Sequence, residues 1–202
     1  MVYRYNEIVQ TSEVAPPTPG RPRSEAARRA VLHAVDDMLV EVGYAAMTMK
    51  GIAERAGVGR QTVYRWWSTK AQILLEACVD DARSELTTPR RGDAQRNLLD
   101  YLVALTEFLT GSPAGLAYRA LLGEAQHDPE VRELLCTADV LAEPTQIVLD
   151  RVRPVAPAMP EDRLAATQLY GPILAQVLTT GSGLTRSLLK THANSLLYAW
   201  QS

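Results

Sequence analysis

Phenylalanine occurs once in this chain of 202 residues, cysteine twice and histidine three times, and each scarcity narrows the range of functions. Cys78 and Cys136 show no C-x-x-C or Cys/His spacing, so neither a zinc site nor a disulfide framework is expected, and a reducing cytoplasm is the natural setting. His33, His127 and His192 are isolated. The segment "HDPE" at 127–130 admits a metal reading, but a helix-capping turn accounts for it better, so no metal and no cofactor are expected. No Ser/His/Asp set, carboxylate pair or phosphate loop stands out, which argues against an enzyme. Long apolar runs are missing too: none reaches about 18 residues, and "MVYRYNEIVQTSEVAPPTPGRPR" at the N-terminus lacks the apolar centre of a signal peptide. No membrane partner is expected. Alternation with a period of two is also lacking, which excludes a convincing strand.

What remains is helical patterning on an amply apolar chain, with 47% hydrophobic and 22% charged residues. The net charge of -2 conceals an asymmetry: residues 1–70 hold 10 Lys and Arg against 7 Asp and Glu, and the remainder 11 against 16. A basic front on an acidic back suits a nucleic-acid module joined to a part that avoids nucleic acid. Residues 1–23 contain five of the prolines and glycines that break regular structure and read as a flexible arm, whose Arg21 and Arg23 are candidates for a minor groove. Ser24 then caps an amphipathic helix that Gly43 stops. Thr48 caps a second helix of about two turns ending at Gly57. A third runs from about Arg60 to Trp67, and Ser68 is placed to cap a longer fourth. Beyond Pro89, helical segments punctuated by Gly111, Pro113, Pro129, Pro160, Gly181 and Gly183 bring the total to about nine helices in an all-α chain.

The short second and third helices gain meaning from how they pack. Ala53 is small where two backbones approach, Gly57 supplies the positive φ of a tight turn, and Val58, Val63 and Trp67 turn inward, which is helix-turn-helix spacing. With Val63 buried and about 100° per residue, Gln61 and Arg65 fall on the opposite face, flanked by Thr62 and Tyr64. Arg60 begins the helix, where recognition helices touch base edges; arginine pairs bidentately with guanine and glutamine with adenine.

The stretch "EVGYAAMTMKGIAERAGVGRQTVYRWWSTKAQIL" resembles the N-terminal domain of tetracycline-repressor-type (TetR family) transcriptional regulators, through Gly43-Tyr44, Thr48, Ile52-Ala53, Ala56-Gly57-Val58, Thr62, Tyr64, Trp67 and Lys70. The resemblance implies a three-helix helix-turn-helix domain over 24–70 and a larger helical effector-binding and dimerisation domain over 71–202. It implies DNA contacts at Thr48 and Lys50, base reading at Arg60, Gln61 and Thr62, and phosphate clamps at Tyr64, Trp66 and Lys70; Arg65 joins them from its place on the outward face. Gly59 stands where the family often has a capping serine, and Trp66 where it often has a polar ring.

Two further expectations concern the larger domain. Tyr101, Leu105, Phe108, Leu122 and Tyr170 are candidates for a cavity that takes a small apolar or amphipathic effector. In the last two helices, Leu169, Ile173, Val177, Leu189, Ala193, Leu196 and Trp200 carry more apolar surface than one chain readily covers, so they are expected at a homodimer interface, with Pro172 bending the first of the two. The function expected is a homodimeric, ligand-responsive repressor that binds a palindromic double-stranded DNA operator and is released by an unidentified small-molecule effector. A ligand-independent DNA-binding module governed by a protein partner, and a helical enzyme, are the rival readings.

Overall fold

The computed structural model describes residues 25–202. The arm at 1–23, with Arg21 and Arg23, and the capping Ser24 lie outside the described residues. Ten α-helices follow one another: α1 (Glu25–Ala46), α2 (Met49–Arg55), α3 (Arg60–Trp66), α4 (Lys70–Glu85), α5 (Ala94–Gly111), α6 (Pro113–Glu124), α7 (Pro129–Ala138), α8 (Ala142–Val152), α9 (Asp162–Thr180) and α10 (Arg186–Gln201). Among the described residues there is no strand. The expected punctuation holds at Gly43, which breaks the helical path inside α1 with φ 75°. It holds again at Gly57 and Gly181, both left-handed. One stretch read as a single helix is two, because Asp139 takes a left-handed φ of 39° and separates α7 from α8. The cap of α4 also differs by one residue. Thr69 accepts from the Gln72 amide, while the Ser68 amide donates to the Gln72 side chain.

In the N-terminal part, α2 and α3 are seven residues each and depend on tertiary burial, since isolated helices this short are unstable in water. Ile52, Ala53, Val63 and Trp67 supply that burial against Val31, Val35 and Leu39 of α1. Helix α4 is buried or half-buried over residues 70–79 and packs on α6 and α1, so it joins the two parts of the molecule. In the C-terminal part, α5 is central and touches α6, α8, α9 and α10. The α5–α6 approach is tight at Gly115, where a Cβ would lie 1.7 Å from the carbonyl oxygen of Phe108. Gly115→Ala is therefore expected to destabilise by roughly 1–3 kcal/mol through overpacking against backbone, reversing the usual gain of an alanine in a helix. Gly123→Ala on the same helix meets nothing within 4 Å and serves as the control. Urea unfolding of the two variants checks the difference.

The last two helices require a correction. Leu169, Ile173, Val177, Leu189, Ala193, Leu196 and Trp200, expected at an interface between chains, are all buried within the single chain. They form the inward stripes of α9 and α10 that pack on α5, and the Trp200 indole donates to Gln168 at 2.8 Å. The apolar residues left outside are Leu164 and Leu178 on α9 and Leu188 and Tyr198 on α10. A period read from sequence shows that a helix is apolar on several sides without telling which side its own chain covers.

Candidate nucleic-acid interface and cleft

The Thr48 hydroxyl accepts from the Gly51 amide at 3.0 Å and fixes the start of α2. The turn closes when the Val58 amide donates to Ala53 at 3.0 Å, and Gly57 takes φ 64° there. Helix α3 then begins at Gly59 with no side-chain cap. Four N-terminal amides of a helix lack intrahelical partners, so the uncapped end of α3 presents backbone donors beside Arg60. Val63 is fully buried, while Arg60, Gln61, Tyr64 and Arg65 are exposed, with Tyr64 at 49%. Thr62 is half-buried on the flank. Lys50 is exposed and pairs loosely with Glu54 one turn on, at 3.6 Å. The outward face of α3 is thus a continuous set of hydrogen-bonding and cationic groups, as the 100° spacing predicts.

Two expected contacts are placed differently. Lys70 is half-buried; its ammonium donates to the carbonyls of Tyr44 at 2.7 Å and Met47 at 3.1 Å and lies 4.1 Å from the centre of the Tyr44 ring. It ties the end of α1 to the start of α4 instead of standing free for a phosphate. Trp66 is also half-buried, packed edge-on to Trp67 with ring centres 5.4 Å apart. Its neighbour Trp67 is core, and the Trp67 indole donates to Glu76 at 2.7 Å. Glu76 simultaneously receives Arg28 of α1, which also reaches Asp80. Glu76 therefore joins α1, the end of α3 and α4 at one carboxylate, a role that sequence spacing does not reveal because its partners are 9 and 48 residues away. Arg55 makes a similar tie from α2 to Asp37 and Glu41 of α1.

The α1–α4 contact also contains an uncompensated acid. Asp36 has Oδ1 buried without a hydrogen-bond partner among the described residues. Burial first, then the nearby Asp81, push its carboxyl up to about 6, with His33 acting in the opposite direction. A carboxyl raised on folding favours the protonated folded state, so stability falls as pH rises from about 4, the unfolded value, through about 6. Asp36→Asn is expected to stabilise the fold above pH 7 by roughly 1–2 kcal/mol and to flatten this dependence. Thermal melting at pH 5 and pH 7.5 for both proteins checks it.

In the larger domain a cleft of about 740 Å³ opens between α6, α7, α8 and α9. Of the expected cavity residues, Leu122 and Tyr170 line it. Tyr101, Leu105 and Phe108 do not; they are buried in the core of α5. Tyr101 lies one layer behind the cleft, its hydroxyl 2.6 Å from that of Thr145, which does face it. Helical periodicity could not separate a residue facing a cavity from one facing a neighbouring helix, since both are apolar. The cleft gains Tyr118, Leu135, Asp139 and Arg163. Among the described residues no helix is long and apolar enough to cross a membrane, and no cluster of His, Cys, Asp and Glu could hold a metal.

The profile of bacterial regulatory proteins of the tetR family matches residues 31–77. That of the tetracyclin repressor-like C-terminal domain matches residues 88–196. The chain is 30% identical over 177 residues to the HTH-type transcriptional regulator YdeS of Bacillus subtilis, covering 85% of this chain and 88% of that one. It is 29% identical over 104 residues to the HTH-type transcriptional regulator AqdR of Rhodococcus erythropolis, covering 52% and 50%. Among solved structures, the TetR family transcription regulator SCO0332 superposes with TM-score 0.71 at 25% identity, covering 86% of this chain and 97% of that one. A transcriptional regulator from Saccharomonospora viridis in complex with choline shares the fold with TM-score 0.56 at 21% identity, covering 87% and 97%. With both domain profiles matched in order and the recognition helix presenting its polar face outward, the chain belongs to the TetR family of DNA-binding transcriptional regulators.

Proposed function

We propose that the protein is a homodimeric repressor of the cytoplasm that binds a palindromic operator and is released from it by a small molecule held in the cleft between α6, α7, α8 and α9. The observation that carries this reading is the course of α4. It begins beside the recognition helix, where Lys70 grips Tyr44 and Met47, and it packs on α6, α7 and α8, three of the four helices that wall the cleft. A ligand that spreads or draws together those helices moves α4, and with it the separation of two recognition helices that must enter successive major-groove faces. The size of the switch is set by the ligand's differential affinity for the two dimer shapes.

Within this reading Arg60, Gln61 and Thr62 contact base edges, while Thr48, Lys50, Tyr64 and Arg65 contact phosphates. Lys70 acts indirectly, as the tie that orients α1 and α4. The homodimer forms through the outward face of the last two helices, Leu164 and Leu178 with Leu188 and Tyr198. Selection of duplexes by the purified protein, followed by sequencing, tests the proposal. The expected product is an inverted repeat with half-sites about one helical turn apart. Binding to it should weaken steeply as salt rises, because each phosphate contact releases counterions. Recovery of only direct, unrepeated sites would count against the dimeric reader. Leu122→Trp should fill the cleft, blunt the response to effector and leave operator affinity intact. If effectors that bind the protein never alter operator affinity, control by a protein partner becomes the better account.

A further inference from the structure

The chemistry of the cleft is not that of a purely apolar cavity. Its wall from α6 brings Tyr118 and Leu122, its wall from α7 Leu135, and its wall from α9 Ala166 and Tyr170. Between α7 and α8, at the same cleft, stands Asp139. Asp139 is the one non-glycine residue with positive φ among the described residues. Its amide donates to Leu135 and its carbonyl accepts from Ala142, which holds the left-handed turn in place. Glycine is the ordinary occupant of such a helix-ending position, and a side chain there costs stability that glycine does not. Backbone strain of this kind gathers where a side chain serves a site. The other acid of the cleft, Asp162, is already engaged by Arg153 and by Gln146. The exposed Arg163 also lines the cleft.

We propose that the effector is a small cationic amphiphile, with an amine or quaternary ammonium head set between the Asp139 carboxylate and the rings of Tyr118 and Tyr170, and its hydrocarbon body against Leu122, Leu135 and Ala166. The inference rests on the reading of this cleft as the effector site. A carboxylate supplies the counter-charge, and tyrosine faces attract a cation within about 6 Å through the ring quadrupole. The electrostatics place Asp139 with the two rings: burial first, and then the Asp139 charge, push the Tyr170 phenol up, with Thr167 and Arg163 acting in the opposite direction, and Tyr118 is raised by burial with Tyr170 and Asp139 adding to it. At the place between Asp139 and the two rings an anionic head would meet the Asp139 charge, and a neutral one would leave that carboxylate without a partner from the ligand; the exposed Arg163 is the one cation of the lining among the described residues, and the octanoate probe tests it.

The test uses the full chain and four probes with one hydrocarbon tail: octyltrimethylammonium, octylamine, octanol and octanoate. Calorimetric titration of wild type is expected to show both cations binding at least about tenfold more tightly than octanol or octanoate. Asp139→Asn keeps a side chain that tolerates the left-handed turn. It should remove most of that preference while leaving octanol affinity unchanged. Equal binding of octanol or octanoate to wild type, or unchanged cation binding by Asp139→Asn, would overturn the head-group assignment. Leu122→Trp separates the two levels of failure. Where the head-group preference fails but Leu122→Trp still abolishes binding of every probe, the cleft remains the effector site and only the cationic class falls. If the cations still bind to Leu122→Trp, or no probe binds wild type, both the cationic class and the cleft as their site fall.

Discussion

Replacing Arg60, Gln61 and Arg65 together with alanine is expected to reduce affinity for the selected duplex by at least a hundredfold while leaving the thermal stability close to that of the parent. Each side chain is exposed on α3, Gln61 and Arg65 opposite the fully buried Val63 and Arg60 at the start of the helix, so its removal opens no cavity. A good bidentate base contact is worth about 1–3 kcal/mol of discrimination, and two copies of each residue act in the proposed dimer. The single variants divide the loss. Arg60→Ala should relax preference at one base position in each half-site, whereas Lys50→Ala should weaken all duplexes alike and lower the steepness of the salt dependence by about one phosphate per subunit. Fluorescence anisotropy on the selected duplex and on a scrambled one, each at two salt concentrations, measures both effects. An equal loss on every duplex for Arg60→Ala would move the base-reading role elsewhere. Lys70→Ala belongs to a different class, because its ammonium ties Tyr44 and Met47 to α4. Its cost should appear as lowered stability of the helix-turn-helix part as well as lowered affinity.

The DNA-facing half was largely legible in the sequence because its signals are local. The hydroxyl of Thr48, the left-handed Gly57 and the position of Val63 each act within one or two turns, and each takes its expected place. Lys70 was misplaced for the same reason in reverse: its partners Tyr44 and Met47 lie more than 20 residues earlier, beyond the range of helical spacing. The C-terminal half was legible as helices but not as surfaces. Leu105 and Leu122 are both leucines on amphipathic helices, yet one is sealed in the core of α5 and the other walls a cleft. Only the packing of α5 against its neighbours and the opening left between α6, α7 and α9 decide between them. Asp139 was invisible because an aspartate in the middle of an apparently continuous helical stretch carries no sign that the backbone turns left-handed there.

The position of the two halves also defines what α4 can transmit. Glu76 holds Arg28 and Trp67 on one side of α4, while Cys78, whose thiol reaches the Ala114 carbonyl at 3.2 Å, marks its buried contact with α6. In the proposed switch a shift of α6 reaches a helix that, besides its apolar packing, carries ion pairs and an indole hydrogen bond at the base of the recognition helix. Polar ties of that kind have discrete partners, which suits a switch between two arrangements better than a gradual deformation.

The double substitution Leu178→Asp with Tyr198→Asp is expected to convert the proposed dimer to a folded monomer and to reduce operator affinity by two to four orders of magnitude. Leu178 is 50% exposed and Tyr198 77% exposed in the single chain, and with Leu164 and Leu188 they form the apolar remainder of α9 and α10 after the core has been served. Small residues lie between them on the same outward faces: Ala175 on α9 and Ser195 on α10 are exposed. Such positions let two helix pairs approach closely around a twofold axis. Two buried carboxylates per subunit would each have to be desolvated without a partner, which no interface of standard size tolerates readily. Loss of the dimer then separates the two recognition helices, and the second half-site is no longer met at the high effective concentration that linkage provides, a loss of about 10²–10⁴. Ile173→Asp is the contrasting variant. Ile173 is fully buried in the chain's own core, so this change should unfold the protein rather than dissociate it. Light scattering coupled to size exclusion, with far-ultraviolet circular dichroism on the same samples, distinguishes a folded monomer from an unfolded chain. A Leu178→Asp/Tyr198→Asp protein that remained a dimer would place the interface on another face, and one that became monomeric yet bound the operator as tightly as the parent would show that pairing in solution is not what delivers two recognition helices to DNA.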